Sequence, residues 1–180
     1  MKKILLLITL VSLGVSAQDI EGGIKFSINN PTFSDDVDND SKGKIGYSVG
    51  YYETMNLNSH WALQGEIGYT HVSYETTSFE DLNFDGDFSD KDEKSTSTFS
   101  NNFIEVPLMA KYRITESFGI GVGHQFCLDG LSIQDSGQVI DISLDANSVK
   151  LGARYYMGSE QLYEGNSLNN ITVSVGFTIF

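Results

Sequence analysis

A two-residue hydrophobic period that returns eight times after residue 23 most limits what this 180-residue chain can fold into. Helical spacing is absent from the same stretch. The fourth run is the cleanest, with Ile104, Val106, Leu108, Ala110, Tyr112 and Ile114 alternating with Glu105, Pro107, Met109, Lys111 and Arg113. The other runs start at Ile24, Ile45, Trp61, Phe118, Ile140, Val149 and Ile171. Successive side chains of a strand point to opposite faces, so each run predicts a strand with one apolar face and one polar face. Eight is also an even number, as a single-chain outer-membrane barrel requires.

The connections fall into two kinds. Asn56–His60, Thr115–Ser117 and Asp145–Asn147 are tight, whereas Asn30–Gly43, Glu75–Thr98, Asp129–Gly137 and Ser159–Asn169 are long. Tight and long alternate strictly, the pattern of short periplasmic turns and long outer loops with both termini on the periplasmic side. A soluble meander has no physical reason to sort its loops by end. The predicted fold is all-β: an eight-stranded antiparallel up-and-down transmembrane β-barrel with a filled polar interior. A soluble secreted β-barrel is the structural competitor, and it alone would fold in plain buffer.

Residues 1–17 predict a secretory signal ahead of a barrel domain over 18–180. Lys2 and Lys3 form the charged region, Ile4–Leu13 the apolar region and Val15-Ser16-Ala17 the small-residue cleavage site. That apolar run is too short to span a bilayer, and no later stretch approaches the roughly 20 apolar residues a membrane helix needs. No Cys closes the apolar run, so no lipoprotein anchor is expected. The whole chain has 11 basic and 24 acidic residues; loss of the two leader lysines leaves nine against 24, a net charge of −15. Such a charge repels nucleic acid, which binds basic faces. The single Cys cannot form an internal disulfide.

The polar face of the runs collects Lys25, Glu66, Glu105, Lys111, Arg113, Asp141, Lys150 and Arg154. A basic side chain facing lipid at the midplane costs roughly 2–4 kcal/mol, so these residues are expected inside. Eight strands enclose a space just wide enough for side chains to fill. The expectation is a lumen charge network, a salt-bridged plug in which Arg154 pairs with Glu105 or Glu66. Aromatic residues such as Trp61, Tyr69, Tyr112, Phe118 and Tyr155 belong to the lipid face, several near strand ends where interfacial girdles sit.

Asn102-Phe103-Ile104-Glu105-Val106-Pro107-Leu108 with Lys111-Tyr112, Gly23-Ile24-Lys25 with Ser27 and Asn29, and Ala153-Arg154-Tyr155 resemble strands of the small outer-membrane β-barrel (porin-like) family of the Bacteroidota. The resemblance spans the mature chain, and its Glu-Val-Pro-Leu stretch is the most specific part. It implies a barrel and an outer-membrane address; members of that family mostly have no assigned activity. One departure stands out. Counted back from Phe180, the alternating positions hold Thr178 and Gly176, while Phe177 and Ile179 lie in the other register. Either Phe180 bends out at the strand end or a bulge shifts the register.

The longest loop carries Asp81-Leu-Asn83-Phe-Asp85-Gly86-Asp87-Phe88-Ser89-Asp90-Lys91-Asp92, the Asp-x-Asn-x-Asp-Gly order of an EF-hand-type calcium loop. Oxygen ligands would come from Asp81, Asn83, Asp85, the Asp87 carbonyl and Asp92, with Gly86 at the sharp turn and Ser89 holding a bridging water. Asp stands where a bidentate Glu is usual, and no helices flank the loop, so an affinity of about 10⁻⁴–10⁻³ M is expected. A solvated acidic loop is the plain alternative. The cluster Asp35-Asp36-Val37-Asp38-Asn39-Asp40 lacks the glycine and spacing and reads as a solvated charge run.

His71 and Ser73 lie two apart, on one face at the outer end of the third strand. They read as a polar rim pair, with a lipid-modifying enzyme as the sharper alternative. His124 falls on the lipid register as a neutral histidine or at a bulge, His60 in a periplasmic turn, and Cys127 inside as a small filler. The favoured reading is a non-enzymatic outer-membrane barrel that displays acidic loops, ordered by Ca²⁺ if the loop binds it. A narrow channel for small ions or solutes is the second reading. Expected partners are outer-membrane lipid, lipopolysaccharide and the barrel-assembly machinery, with the protein a monomer.

Overall fold

The computed structural model describes residues 20–34, 40–80, 93–130, 132–163 and 166–180. They form β1 (Ile20–Ser34), β2 (Asp40–Asn56), β3 (Trp61–Glu80), β4 (Glu93–Arg113), β5 (Phe118–Asp129), β6 (Ser132–Ala146), β7 (Val149–Tyr163) and β8 (Asn166–Thr178). Each strand pairs antiparallel with its neighbour, and β1 pairs with β8, closing one barrel. Closure leaves the spanning part of the sheet no edge, the condition for backbone polar groups in hydrocarbon.

The barrel is inverted relative to a soluble protein. Charged residues are buried, with Glu66 at 7% exposure and Arg154 at 6%, while Val122, Ile171 and Val173 are 51–61% exposed. The outward run from Ile104 on β4 to Ile114, one residue past its end, sets the scale. At about 3.3 Å per residue and a tilt near 40°, it covers about 25 Å of height, the thickness of the apolar band of such barrels. A continuous apolar belt of this extent has lipid as its stable surroundings.

The strands run further than the alternation indicates, so the long connections read from the sequence are shorter. β3 and β4 stay paired from Trp61↔Tyr112 up to Glu80↔Glu93, and β6 begins at Ser132, not near Ile140. The reason is physical. Above the lipid belt both faces of a hairpin meet water, so segments such as Thr96-Ser97-Thr98 carry no hydrophobic period although the backbone ladder continues. The β4–β5 ladder reaches only Ile104↔Leu128, so the upper half of β4 stands beside β3 above the barrel wall.

At the opposite end the turns are tight. β6 and β7 are joined through Asn147 and Ser148, with Ala146 facing Val149. Asn147 takes the left-handed conformation (φ 54°), which Asn tolerates better than most residues. The chain terminus resolves the register question. The β1–β8 ladder is unbroken from Gly23↔Thr178 onward, and β8 ends at Thr178. Phe180 then leaves the alternation, its carbonyl accepting from the Gly22 amide at 2.9 Å. Its ring lies over Gly22, where a Cβ would stand 2.6 Å from both the Phe180 ring and the Tyr51 hydroxyl. The missing side chain therefore makes the aromatic cover possible.

Candidate functional site

Among the described residues, three groups of side chains carry polar chemistry: two charged rings in the lumen, an apolar layer above them with one buried acid, and a row on the outer rim. The ladders fix the first. Glu66 on β3, Arg154 on β7, Asp141 on β6, Lys111 on β4 and Lys25 on β1 all fall on the inward register and meet at one level. Arg154 grips Glu66 with two bonds, Nη1 to Oε2 at 3.0 Å and Nη2 to Oε1 at 2.6 Å. Its Nε stands 3.4 Å from Asp141 Oδ1. Lys25 also pairs with Glu66. Lys111 bonds Asp141 at 3.0 Å and the Gln64 carbonyl at 3.1 Å, and Gln64 donates to Glu66 at 2.6 Å. Bidentate guanidinium–carboxylate geometry is the strong form of such pairing, and shared partners satisfy the remaining lone pairs.

A second ring closes the periplasmic mouth. Glu21 accepts from Lys150 at 2.9 Å and lies 3.6 Å from Arg113, whose other contact is the Asn56 carbonyl at 2.6 Å. Lys150 also sits 5.3 Å from the centre of the Tyr52 ring. Glu21 is absent from the sequence reading because the first alternating run starts after Gly22 and Gly23. Glu105 is buried, but the Gln125 amide at 3.5 Å is its hydrogen-bond contact, so Arg154 pairs with Glu66 and Asp141 instead.

Towards the outer side, Val72, Phe103, Met109, Cys127, Val139 and Tyr156 pack together inside the barrel. The Tyr156 hydroxyl donates to Asp135 at 2.7 Å, and Asp135 is fully buried. Asp135 lies in the part of β6 that the alternation does not reveal. Cys127 points inward, 3.9 Å from the Tyr156 hydroxyl. A lumen cavity lined by Lys25, Glu66, Lys111, Asp141, Lys150 and Arg154 measures about 30 Å³, room for two or three waters.

The third group faces outward. Tyr47, His71 and Asn102 are register partners across β2, β3 and β4, one row above Tyr69 and Ile104. His71 stacks on Tyr47 with ring centres 5.1 Å apart. Its Nδ1 lies 2.7 Å from Asn102 Oδ1, and its Nε2 lies 3.1 Å from Ser73 Oγ. Asn102 is 31 positions from His71 along the chain, and only the β3–β4 register brings the two together.

His124 is half-exposed on the lipid side, edge-on to Phe126 at 4.8 Å. The ladders pass through His124 opposite Leu108 and Gln138, and the β5 irregularity lies at Cys127–Leu128, so a bulge at His124 is excluded. His60 occupies the turn after β2, where Asn58 Oδ1 caps the His60 and Trp61 amides at 2.9 Å. The calcium-type residues Asp81, Asn83, Asp85, Asp87 and Asp92, the leader 1–17 and acidic positions 35–39 lie outside the described residues.

The inverted barrel and its lumen agree with a family comparison in which the model of the outer membrane protein beta-barrel domain matches residues 4–179. The chain belongs to that family. It resides in the bacterial outer membrane. No curated protein matches it at a significant level. Among solved structures, Ail, the attachment invasion locus protein of Yersinia pestis, is similar at 10% identity, TM-score 0.47, covering 88% of this chain and 98% of that one. A de novo designed transmembrane β-barrel is similar at 9% identity, TM-score 0.46, covering 91% and 100%. Neisserial surface protein A is similar at 10% identity, TM-score 0.33, covering 88% and 96%. These likenesses concern the fold alone.

Proposed function

We propose that the protein is a sealed envelope barrel that serves as a structural and contact element, with no transport path through its lumen. The observation that carries this reading is the double closure of the interior. A salt-bridged layer around Glu66 and Arg154 lies below an apolar layer around Tyr156, and the cavity beside Glu66 and Arg154 measures only about 30 Å³. A hydrated ion needs a continuous wet path, and neither layer supplies one. Recording from the reconstituted protein in planar bilayers tests it: no current steps above the empty-bilayer baseline are expected, and reproducible steps would make it a narrow channel.

The contact role rests on what the barrel holds up. The strand arms above the lipid belt lead into the acidic positions 35–40 and 81–92. We place Ca²⁺ in the second of these, on the order Asp81, Asn83, Asp85, Gly86, Asp87, Asp92. Calcium titration by calorimetry should give saturable heat that Asp85→Ala abolishes; an identical trace for both proteins would reduce the loop to a charged brush. Divalent ions bridging these acids to lipopolysaccharide phosphates would fix the loops at the surface. The signal over 1–17, delivery by the barrel-assembly machinery, the monomeric state and a place among Bacteroidota barrels complete the proposal. The Glu105-Val106-Pro107-Leu108 stretch supports the last.

A further inference from the structure

We propose that Ser73, His71 and Asn102 form a nucleophile–base–positioning triad on the outer rim that hydrolyses acyl esters of envelope lipids. The site goes beyond the structural role above and departs from the expectation of a non-enzymatic barrel.

The bond chain carries the chemistry. Asn102 presents Oδ1 to His71 Nδ1 at 2.7 Å, and an amide oxygen only accepts, so Nδ1 carries the ring proton. Nε2 is then a bare lone pair, and the Ser73 hydroxyl 3.1 Å away donates to it. This is the tautomer and order that activate a serine: the base touches the nucleophile, and a third group orients the base. Stacking on Tyr47 holds the imidazole plane. The unbroken β3–β4 ladder fixes the backbone of His71 and Ser73, while the β2–β3 ladder pairs His71 with Tyr47 and shifts register just beyond, between Tyr47 and Lys44. His71 and Ser73 are half-exposed and Asn102 is exposed, so a substrate can reach all three.

Position selects the substrate class. The row lies one step above Tyr69 and Ile104, where the lipid belt ends and ester carbonyls of membrane lipids reside. Exposed Val49 and Tyr69, paired one step below the row, offer an apolar surface to acyl chains. In the first step Ser73 Oγ bonds to the ester carbonyl carbon while its proton passes to His71 Nε2. The tetrahedral oxyanion collapses, the C–O bond to the alcohol breaks, and the departing alkoxide takes that proton. Water then attacks the acyl-serine, gives a proton to His71 and releases the fatty acid, and the proton returns to Ser73.

The test uses the full mature protein folded into vesicles, checked by the altered gel mobility of the folded barrel. A fluorescent fluorophosphonate should label it, and peptide mass spectrometry should place the adduct on Ser73. Release of labelled fatty acid is measured in two arms, glycerophospholipid vesicles and vesicles containing lipopolysaccharide; release in either supports the proposal and names the source of the ester. Ser73→Ala and His71→Ala should each lower release by about 100-fold or more. Asn102→Ala should lose labelling and Asn102→Asp regain it, because a carboxylate also accepts from Nδ1. Folded wild-type protein that takes no label and releases no fatty acid above protein-free vesicles would overturn the proposal, as would release that persists in Ser73→Ala. Mapping the adduct on wild-type protein decides the matter even where a variant fails to fold. Failure here leaves the sealed-barrel reading, with its separate electrical test, intact.

Discussion

Replacing Arg154 by Met removes the guanidinium but keeps an unbranched apolar stem of similar reach. Two charge-assisted bonds to Glu66 vanish, at 3.0 and 2.6 Å, together with the approach to Asp141. Both partners are almost fully buried, so solvent does not screen the loss. Breaking a buried pair from one side costs about 3–5 kcal/mol. Here Glu66 keeps Lys25 and Gln64, and Asp141 keeps Lys111, which places the loss at the low end, about 3 kcal/mol. Glu105→Gln is the internal control: its one hydrogen-bond contact is the Gln125 amide at 3.5 Å, and a loss below about 1 kcal/mol is expected. Urea titration of vesicle-embedded protein reads both variants through the emission of Trp61, the only Trp of the chain, with gel mobility as a second probe. The reasoning fails if Arg154→Met stays within about 1 kcal/mol of wild type, or if Glu105→Gln costs as much as Arg154→Met.

Tyr156→Ala should cost about 3–5 kcal/mol through the lost ring and should leave Asp135 without its hydroxyl donor. If the apolar layer is a seal, planar-bilayer recording of this variant will show leak currents that the wild type lacks. Gly22→Val places a side chain against the Phe180 ring and the Tyr51 hydroxyl, and a loss of about 1–3 kcal/mol is expected in the same urea titration. Equal midpoints for Gly22→Val and wild type would show that Phe180 does not pack there.

Strand count, lipid face and the inward set of charges are all written in the two-residue period, because a barrel wall in lipid enforces one rule at every second residue. Lys25, Glu66, Lys111, Asp141 and Arg154 were legible in that way: no other face tolerates them. Alternation says nothing about residues that meet water on both sides, so the upper halves of β3 and β4 and the start of β6, with Asp135, were invisible to it. Pairing was equally beyond reach. Arg154 finds Glu66 and Asp141 rather than Glu105 because strand stagger around a closed barrel, not distance along the chain, sets which side chains share a level. The same stagger carries Asn102 to His71. A pair of residues two apart became a hydrogen-bonded row of three only when β3 and β4 locked into register.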